Sequence, residues 1–292
     1  MASKPEAFYL PSDSSDGGQR FCLYHPAASG RSKGLLLYVH PFAEEMNKSR
    51  RMAALQARAF SAAGYAVLQM DLLGCGDSSG DFGDATWAAW VRDIVQGSRW
   101  LRAQADASGA ALAPLWLWGL RAGCLLAVEA AAQIQEPVSL LFWQAPSSGK
   151  PLLQQFLRLK MAGDLLGGQA KGATETLRQQ LAAGQSAEIA GYTLSPAVAA
   201  GLDNAKLERI AGASEQRIQR IEWIELSTRE ETTLSPASAK AIAQWQHTGT
   251  PVRIQVVNGP AFWQTSEIEE APLLLSASVD AIAPEIGELV AA

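Results

Sequence analysis

The chain has 292 residues, a formal net charge of −5 at pH 7 and 48% hydrophobic residues. This length and composition suit either one large α/β domain with an insertion or two small domains, with a substantial buried core. The acidic balance argues against nucleic acid as the main partner, because binding to phosphates needs a basic face.

The cysteines and the apolar runs of the sequence indicate in which cellular compartment the protein is to be expected. The three cysteines, Cys22, Cys75 and Cys124, lie far apart and form no C-x-x-C pair. Their spacing offers neither a zinc ribbon nor a disulfide framework, and an odd count fits a reducing compartment. The first residues lack the apolar segment of a secretory signal, and no apolar run approaches the ~18 residues that span a bilayer. We therefore expect a cytoplasmic protein with no membrane span, and the sequence leaves its oligomeric state open.

The first half of the chain alternates strand and helix patterns. The sequences AFYL and RFCLYH, separated by a Ser/Asp/Gly-rich turn, predict an initial β-hairpin. Continuous apolar runs then predict buried strands, and apolar residues at helical spacing predict the helices between them. In chain order we predict a strand at 34–40, a helix from 46 that stops at Gly64, a strand at 66–71, a helix at 87–105, a strand at 114–118, a helix at 124–134 and a strand at 138–146.

This alternation stops between residues 149 and 216. Amphipathic helical segments lie there, separated by glycine-rich joints, and no strand-like run is present. The rhythm then resumes with a strand at 217–226, a helix at 235–247, a strand at 252–258 and a closing helix at 269–282. We predict an α/β fold with a mainly parallel central sheet and helices on both faces. Residues 1–148 and 217–292 form its core, and residues 149–216 form a helical cap over the C-terminal edge of the sheet.

The sequence GLRAG, residues 119–123, connects a predicted strand to a predicted helix. A tight turn of this kind needs small flanking residues, and it projects its central side chain into a pocket above the helix N-terminus. In many enzymes the turn is G-x-S-x-G and carries a nucleophilic serine. Here the tip is Arg121. Arginine stays protonated at physiological pH and has no lone pair to offer an acyl carbon.

Three motifs support a resemblance to the α/β-hydrolase superfamily over nearly the whole chain. HPFAEE is similar to the loop that supplies one oxyanion-hole N–H, DLLGCGDSSG to a D-x-x-G-x-G-x-S loop, and GLRAG to the nucleophile elbow. The sequences GLRAG, HPFAEEMNKSRRM and EIAGYTLSP also resemble the second type of exosortase A system-associated hydrolase. This closer resemblance implies an ester or acyl hydrolase associated with bacterial exopolysaccharide and exosortase systems.

The resemblance implies an oxyanion hole without its usual nucleophile. The N–H groups of Ala122 and Phe42 would be the oxyanion donors, and His40 would hydrogen-bond its loop into shape. Cys124 lies inside the predicted helix, so its sulfur should not take the place of the serine. Cys75 lies in a loop nearer to the expected pocket, although its position between two glycines favours an ordinary loop residue.

The general base of a hydrolase triad is missing from its usual place. In this fold the catalytic histidine follows the last strand, and residues 258–270 contain no histidine. His25 ends the predicted hairpin, and His247 ends a predicted helix, where a cation suits the macrodipole. The histidines come from distant parts of the sheet, so we expect no metal site. The glycine-rich residues 74–84 lack the G-K-[ST] ending of a phosphate loop, and we expect no cofactor.

Several carboxylates are candidate partners for Arg121. A buried guanidinium without a partner costs several kcal/mol, so some group must pair with it. The loop after the strand at 217–226 offers Glu230 and Glu231, with Glu225 at the end of the strand. The alternative for this loop is a solvated acidic segment that precedes the next helix. The other candidates, all in loops at the same edge of the sheet, are Glu44, Glu45, Asp71 and Asp77.

Two functions stay open at this point. An ester or acyl hydrolase would need Cys75, or a water activated by a carboxylate such as Glu231, in place of the triad. A catalytically inactive binding or scaffold protein would use Arg121, beside a helix N-terminus, to hold a small anionic, acyl or glycan ligand. Apolar residues of the cap would then cover an acyl tail. The candidate stacking surfaces for a sugar are Trp87, Trp143 and Trp263.

Overall fold

The computed structural model of the chain describes residues 4–13, 17–165, 173–208, 218–229 and 233–284. Eight strands of these residues form one sheet in the order β1-β2-β4-β3-β5-β6-β9-β10, and two short strands, β7 and β8, form a separate hairpin. The strands are β1 (Glu6–Pro11), β2 (Gln19–His25), β3 (Leu35–Val39), β4 (Ala66–Met70), β5 (Leu115–Leu120), β6 (Val138–Trp143), β7 (Ala187–Ile189), β8 (Tyr192–Leu194), β9 (Ile218–Ser227) and β10 (Val252–Asn258).

The sheet is mainly parallel, as the sequence predicted. All neighbouring pairs from β4 to β10 run parallel, whereas β2 pairs antiparallel with both β1 and β4. Every residue of β3, β5 and β6 is buried. Strands covered by helices on both faces have no solvent side, so their sequences are continuous apolar runs. This explains why those three strands were recognisable from the sequence.

Helices cover both faces of the sheet. The first face, with α2, α3 and α7, and the second face, with α1 and α8, contribute to two separate apolar cores. No helix of the described ranges is long and apolar enough to cross a membrane. The helices are α1 (Glu44–Ala62), α2 (Trp87–Ala107), α3 (Ala122–Gln133), α4 (Lys150–Leu165), α5 (Ala173–Ala182), α6 (Pro196–Asn204), α7 (Pro236–His247) and α8 (Pro272–Ile282).

The segment between β6 and β9 contains α4, α5 and α6 together with the β7–β8 hairpin. The sequence predicted no strand here, and that prediction is wrong. Each strand has three residues, too few for an alternating pattern to be recognised, and Ala190 and Gly191 make the turn with φ of 50° and 82°. The predicted helical residues at 166–168 and 209–212 lie outside the described part of the chain.

Helix α6 also ends earlier than the sequence predicted. The helical pattern continued to residue 212, but α6 ends at Asn204. Beyond it the chain pairs with the segment that follows β6, because the N–H of Leu207 donates to the carbonyl of Ser147 at 3.0 Å and Lys206 forms a β-bridge with Ser148. These tertiary hydrogen bonds override the helical pattern.

Two glycines allow β5, α3 and β3 to meet at the elbow. A Cβ at Gly123 would lie 2.1 Å from the carbonyl oxygen of Val39, and a Cβ at Gly119 would lie 2.7 Å from the backbone nitrogen of Cys124. Both neighbours are backbone atoms of buried elements and have little freedom to move. The small residues of the sequence GLRAG are therefore required by backbone packing.

We predict that Gly123→Ala destabilises the protein by about 3 kcal/mol or more, because the added methyl group would overlap the carbonyl of Val39. Gly97→Ala in α2 is the matched control. A Cβ at Gly97 would meet side-chain ends of Met70 and Leu37 at 3.1–3.4 Å, and alanine favours the helix. Denaturant unfolding of both variants measures the difference. Equal losses of stability would contradict the role given to Gly123.

Candidate functional site

Arg121 lies at the tip of the turn between β5 and α3. Its backbone has φ 54° and ψ −118°, a strained conformation for a residue other than glycine. The N–H of Arg121 donates to the carbonyl of Trp143 at the end of β6, and its own carbonyl accepts from the N–H of Cys124, both at 3.0 Å. Hydrogen bonds to two elements thus hold the tip in place, with the side chain beside the N-terminus of α3.

The guanidinium of Arg121 pairs with the carboxylate of Glu45. Nε lies 3.3 and 3.4 Å from the two carboxylate oxygens, and Nη2 lies 3.1 Å from Oε1. Nη2 also donates to Oε1 of Gln155 in α4 at 3.2 Å. The ring centre of Trp263, in the loop after β10, lies 5.7 Å from the guanidinium carbon. The side chains of Arg121 and Glu45 are only 13% and 6% exposed, so this ion pair is largely shielded from solvent.

The environment of Glu45 combines burial with compensating contacts. Burial raises the pKa of Glu45, and the adjacent Arg121 and a hydrogen bond from Gln264 oppose that shift. Arg121 keeps unused donor capacity, because Nη1 has no hydrogen-bond acceptor among the described residues. The guanidinium of Arg121 is therefore held in place by Glu45 through Nε and Nη2, and its Nη1 can donate to a further acceptor.

The loop after β3 is organised by His40. Its Nδ1–H donates to the carbonyl of Pro41 at 2.8 Å, and its Nε2 accepts from the N–H of Leu72 at 3.3 Å. These partners require the neutral imidazole with the proton on Nδ1. Burial lowers the pKa of His40, which favours the same neutral form. His40 thus joins the loops after β3 and β4, and neither ring nitrogen is available to a reacting group.

The two N–H groups expected to form an oxyanion hole belong to Phe42 and Ala122. Ala122 is the first residue of α3, where N–H groups have no partner within the helix. Within the described ranges, no hydrogen bond engages the N–H of either residue. Ala43, which follows Phe42 and precedes α1, has φ 49° and ψ −125°, nearly the same strained backbone as Arg121.

An aromatic cluster, which we call the aromatic wall, stands beside this loop. Phe42 contacts Phe156 of α4 at 4.9 Å and Phe82 at 5.7 Å between ring centres. Tyr192 of β8 contacts Phe82 at 5.1 Å and Phe156 at 6.0 Å. Two of the four rings come from the segment between β6 and β9, so that segment supplies part of a mostly buried aromatic cluster near the elbow. The sequence did not identify Gln155, Tyr192 or Gln264, because only the tertiary structure brings them to this edge.

Neither cysteine near the elbow has the surroundings of a nucleophile. Cys75 and Cys124 are both buried, and burial raises the pKa of each thiol far above its usual range. The thiol of Cys124 also lies 3.2 Å from the carbonyl oxygen of Gly119. A reactive cysteine needs a stabilised thiolate, and here the protonated thiol is favoured. The structure thus argues against the catalytic role considered for Cys75.

Of the candidate partners of Arg121, the structure selects Glu45. Asp71 instead accepts from Nη2 of Arg50 at 3.2 and 3.3 Å and from the N–H of Asp77 at 3.0 Å. Glu225 accepts from Nε1 of Trp223 at 2.9 Å. Asp77 is exposed on its loop. Glu230 and Glu231 lie outside the described residues.

Glu44 precedes Glu45 in the first turn of α1 but has different contacts. Its side chain is half-buried, and its Oε2 is buried without a hydrogen-bond partner in the described part of the chain. Burial, together with the neighbouring charge of Glu45, raises the pKa of Glu44. The charged form of Glu44 is therefore disfavoured, and its Oε2 takes no part in the ion pair of Arg121 and Glu45.

The remaining candidate side chains lie elsewhere. His25 in β2 contacts Oε1 of Gln69 at 3.0 Å, and His247 ends α7. Trp87 donates to Glu129 and Trp143 donates to Ser278, so both indoles have structural partners and are buried. Only Trp263, of the three tryptophans considered for sugar stacking, lies against Arg121. In the described ranges, no group of three or more His, Cys, Asp or Glu side chains is arranged to hold a metal ion.

We predict that Arg121→Leu destabilises the protein by about 3 kcal/mol, because it leaves Glu45 buried without its partner. Adding Glu45→Gln should recover part of that loss, since the buried charge is then removed. Denaturant unfolding of the four proteins in a double-mutant cycle measures the coupling. Arg50→Leu is the control, because Arg50 is 45% exposed and its removal should cost no more than about 1 kcal/mol. Strictly additive effects of the Arg121 and Glu45 substitutions would contradict the pair.

We also predict that the stability contributed by His40 falls as the pH decreases below 6.5, the ordinary pKa of histidine. Below pH 6.5 this histidine binds a proton in the unfolded chain, whereas buried His40 in the folded protein stays neutral. The contribution of His40 to the free energy of unfolding is therefore present above pH 6.5 and is lost as the pH falls toward its lowered folded-state pKa. One proton changes the unfolding free energy by up to about 1.4 kcal/mol per pH unit. His40→Asn should reduce this slope. His25, whose pKa burial also lowers, stays in the variant and accounts for a residual slope. A slope equal to that of the parent protein would contradict the assignment.

The comparisons with known proteins agree with this architecture. Est1E from Butyrivibrio proteoclasticus, solved with ferulic acid, superposes with a TM-score of 0.64 at 16% identity, over 98% of this chain and 100% of that chain. A variant of monoglyceride lipase from Saccharomyces cerevisiae, solved with a substrate analogue, gives 0.61 at 16% identity, over 96% and 94%. The Pyrococcus furiosus esterase Pf2001 gives 0.59 at 11% identity, over 96% and 90%. None of the curated proteins compared with the chain matches it. Residues 30–219 match the family described as serine aminopeptidase, S33, and the chain therefore belongs to this family of the α/β-hydrolase superfamily.

Proposed function

We propose that the elbow site of this α/β-hydrolase protein binds the oxyanion of a small organic acid and does not form an acyl-enzyme. The observation that carries this proposal is the buried guanidinium of Arg121 at the elbow tip, held by Glu45 and Gln155. A guanidinium cannot attack an acyl carbon, but its planar donors match a carboxylate or phosphate. Nη1, with no acceptor in the described ranges, is the donor available to such a ligand.

Two backbone features favour an anion at the same place. Arg121 directly precedes α3, and the positive end of a helix dipole attracts negative charge. The N–H of Ala122 directly follows the tip, and that of Phe42 belongs to the loop after β3, which packs against Gly123 of the elbow; neither has an acceptor among the described residues. Glu45 neutralises much of the positive charge of Arg121, so charge attraction alone does not hold a ligand there. The ligand must also accept a hydrogen bond from Nη1 in place of water.

The apolar part of the ligand would contact the aromatic wall. Tyr192 is the partly exposed ring of this wall, Phe42 and Phe156 are buried in it, and Trp263 lies on the side of the guanidinium. We propose that residues 149–216 act as a cap that covers this body. The ligand class is therefore an acyl or aryl carboxylate or an acidic glycan unit. The presence of ferulic acid, an aryl carboxylic acid, in the structure of Est1E is consistent with this class.

The biological setting that we propose follows from the sequence motifs. GLRAG, HPFAEEMNKSRRM and EIAGYTLSP resemble the second type of exosortase A system-associated hydrolase. We accordingly place the protein in the cytoplasm of bacteria that make exopolysaccharide with such systems. There it would bind an acidic intermediate or an acyl group.

We predict that the protein binds at least one of ferulate, octanoate and glucuronate more tightly than the matched neutral compounds coniferyl alcohol, octanol and glucose. Arg121→Gln should weaken the binding by about tenfold or more, because a hydrogen bond to a charged partner is lost. Arg99→Gln, at an exposed arginine of α2, is the control and should leave affinity unchanged. Isothermal titration calorimetry at constant ionic strength measures both effects. The proposal fails if no acid binds, or if the Arg121 variant binds every acid as the parent does.

The Oε2 atom of Glu44, which is buried without a hydrogen-bond partner among the described residues, favours a second candidate function, an ester hydrolase without a covalent intermediate. Its raised pKa suits a general base, which would take a proton from water while the water oxygen attacks the ester carbon. The oxyanion would then be held by the N–H groups of Phe42 and Ala122, and the leaving alkoxide would receive the proton from Glu44. Turnover of activated esters that Glu44→Gln abolishes and Cys75→Ala retains would select this candidate over the binding protein.

A further inference from the structure

A second cavity, distinct from the elbow site, lies at the opposite edge of the sheet. Its volume is about 410 Å³, within the range of about 300–1,000 Å³ typical of small-molecule sites. Its lining residues lie where β5, β6, β9 and β10 begin, and they include Trp116, Ser139, Arg220 and Arg253. Trp116 and Arg121 are five residues apart along one extended segment, which separates the two sites by about 16 Å.

The charge at this cavity is positive, although the protein as a whole is acidic. Lys33, Arg220 and Arg253 line it. The carboxylate beside them is Glu222, which lies 3.3 Å from Nε of Arg220 and 3.6 Å from Nη1 of Arg253. Glu222, which is 1% exposed, neutralises part of the charge of the two arginines. Three cationic side chains against one carboxylate leave positive charge within one concave surface, and this attracts an oxyanion.

A buried donor at the cavity has no acceptor. Trp116 is 2% exposed, and its Nε1 makes no hydrogen bond to a described residue. Buried polar groups in folded proteins are nearly always hydrogen-bonded, so an unsatisfied donor beside a cavity indicates a missing acceptor. The guanidinium carbon of Arg220 lies 4.8 Å from the ring centre of Trp116, and its Nε faces Oε1 of Glu222 at 3.3 Å. The stacking and the ion pair hold the guanidinium beside the indole N–H.

We propose that this cavity is a second binding site, which takes a small organic molecule with a phosphate or carboxylate group. The oxyanion would accept hydrogen bonds from Arg220 and Trp116 and pair with Lys33 and Arg253. Tyr65 and Ile282 would contact the apolar body of the ligand. Lys33 and Arg253 are exposed at the rim, so replacing either one leaves the buried core intact. The proposal does not depend on the function of the elbow site.

The test is calorimetric titration of the full chain at constant ionic strength with two sets of compounds. Glucose 6-phosphate and adenosine monophosphate represent phosphate esters, citrate represents carboxylates, and glucose and adenosine are the neutral controls. At least one anion should bind saturably and its neutral counterpart should not. Lys33→Gln and Arg253→Gln should each weaken that binding by about tenfold. Arg58→Gln, at an exposed position of α1, and Arg121→Gln, at the elbow, should leave it unchanged.

The outcomes separate this site from the elbow. Binding lost in the Lys33 and Arg253 variants and retained in the Arg121 variant supports the proposal, and the compound set that binds identifies the oxyanion. Three results overturn it: no saturable binding by any anion, equal binding of the neutral controls, or binding that depends on Arg121 and not on Arg253.

Discussion

The ion pair between Arg121 and Glu45 is the interaction on which the elbow site depends. Arginine is charged at every physiological pH, so a guanidinium at a largely buried elbow tip requires a carboxylate close by. Glu45 supplies it from the first turn of α1, and Gln155 and Trp263 complete the contacts from α4 and the loop after β10. One side chain thus ties together four parts of the chain that are far apart in sequence.

The elbow has the backbone of a turn that projects its central side chain, and that side chain is Arg121. The strained φ of Arg121 and the close packing at Gly119 and Gly123 are features of such a turn, and the N–H groups of Ala122 and Phe42 have no acceptor among the described residues. His40 fastens the neighbouring loop through both ring nitrogens, so it acts as a structural residue. Backbone features of this kind depend on small residues and hydrogen bonds, and they do not require a particular side chain at the tip. A preorganised set of donors serves binding of an anion as well as stabilisation of an oxyanion.

The parallel sheet also explains why polar groups gather at both of its edges. Strands β3, β5 and β6 are buried along their whole length, so charged side chains can reach solvent only where the strands begin or end. Arg121 follows the end of β5, whereas Arg220 and Arg253 lie near the beginnings of β9 and β10. The two arginine sites share one architectural cause but differ in their surroundings. At the elbow the cation is matched by Glu45, and at the other edge the cations outnumber Glu222.

The sequence by itself determined the fold class and the chemical identity of the elbow tip. Continuous apolar runs of strand length that alternate with helical patterns predict strands covered on both faces, and the turn GLRAG contains Arg121 whatever the rest of the chain does. The choice of partner needed the tertiary structure. Glu44 and Glu45 are neighbours in sequence, but they point about 100° apart around α1, and only Glu45 faces Arg121. Asp71 was an equally good candidate until the fold placed Arg50 beside it. The contact of Trp263 was decided in the same way, because contacts between distant segments leave no periodic pattern in the sequence. The strands β7 and β8 are too short, at three residues each, for an alternating pattern to be recognised.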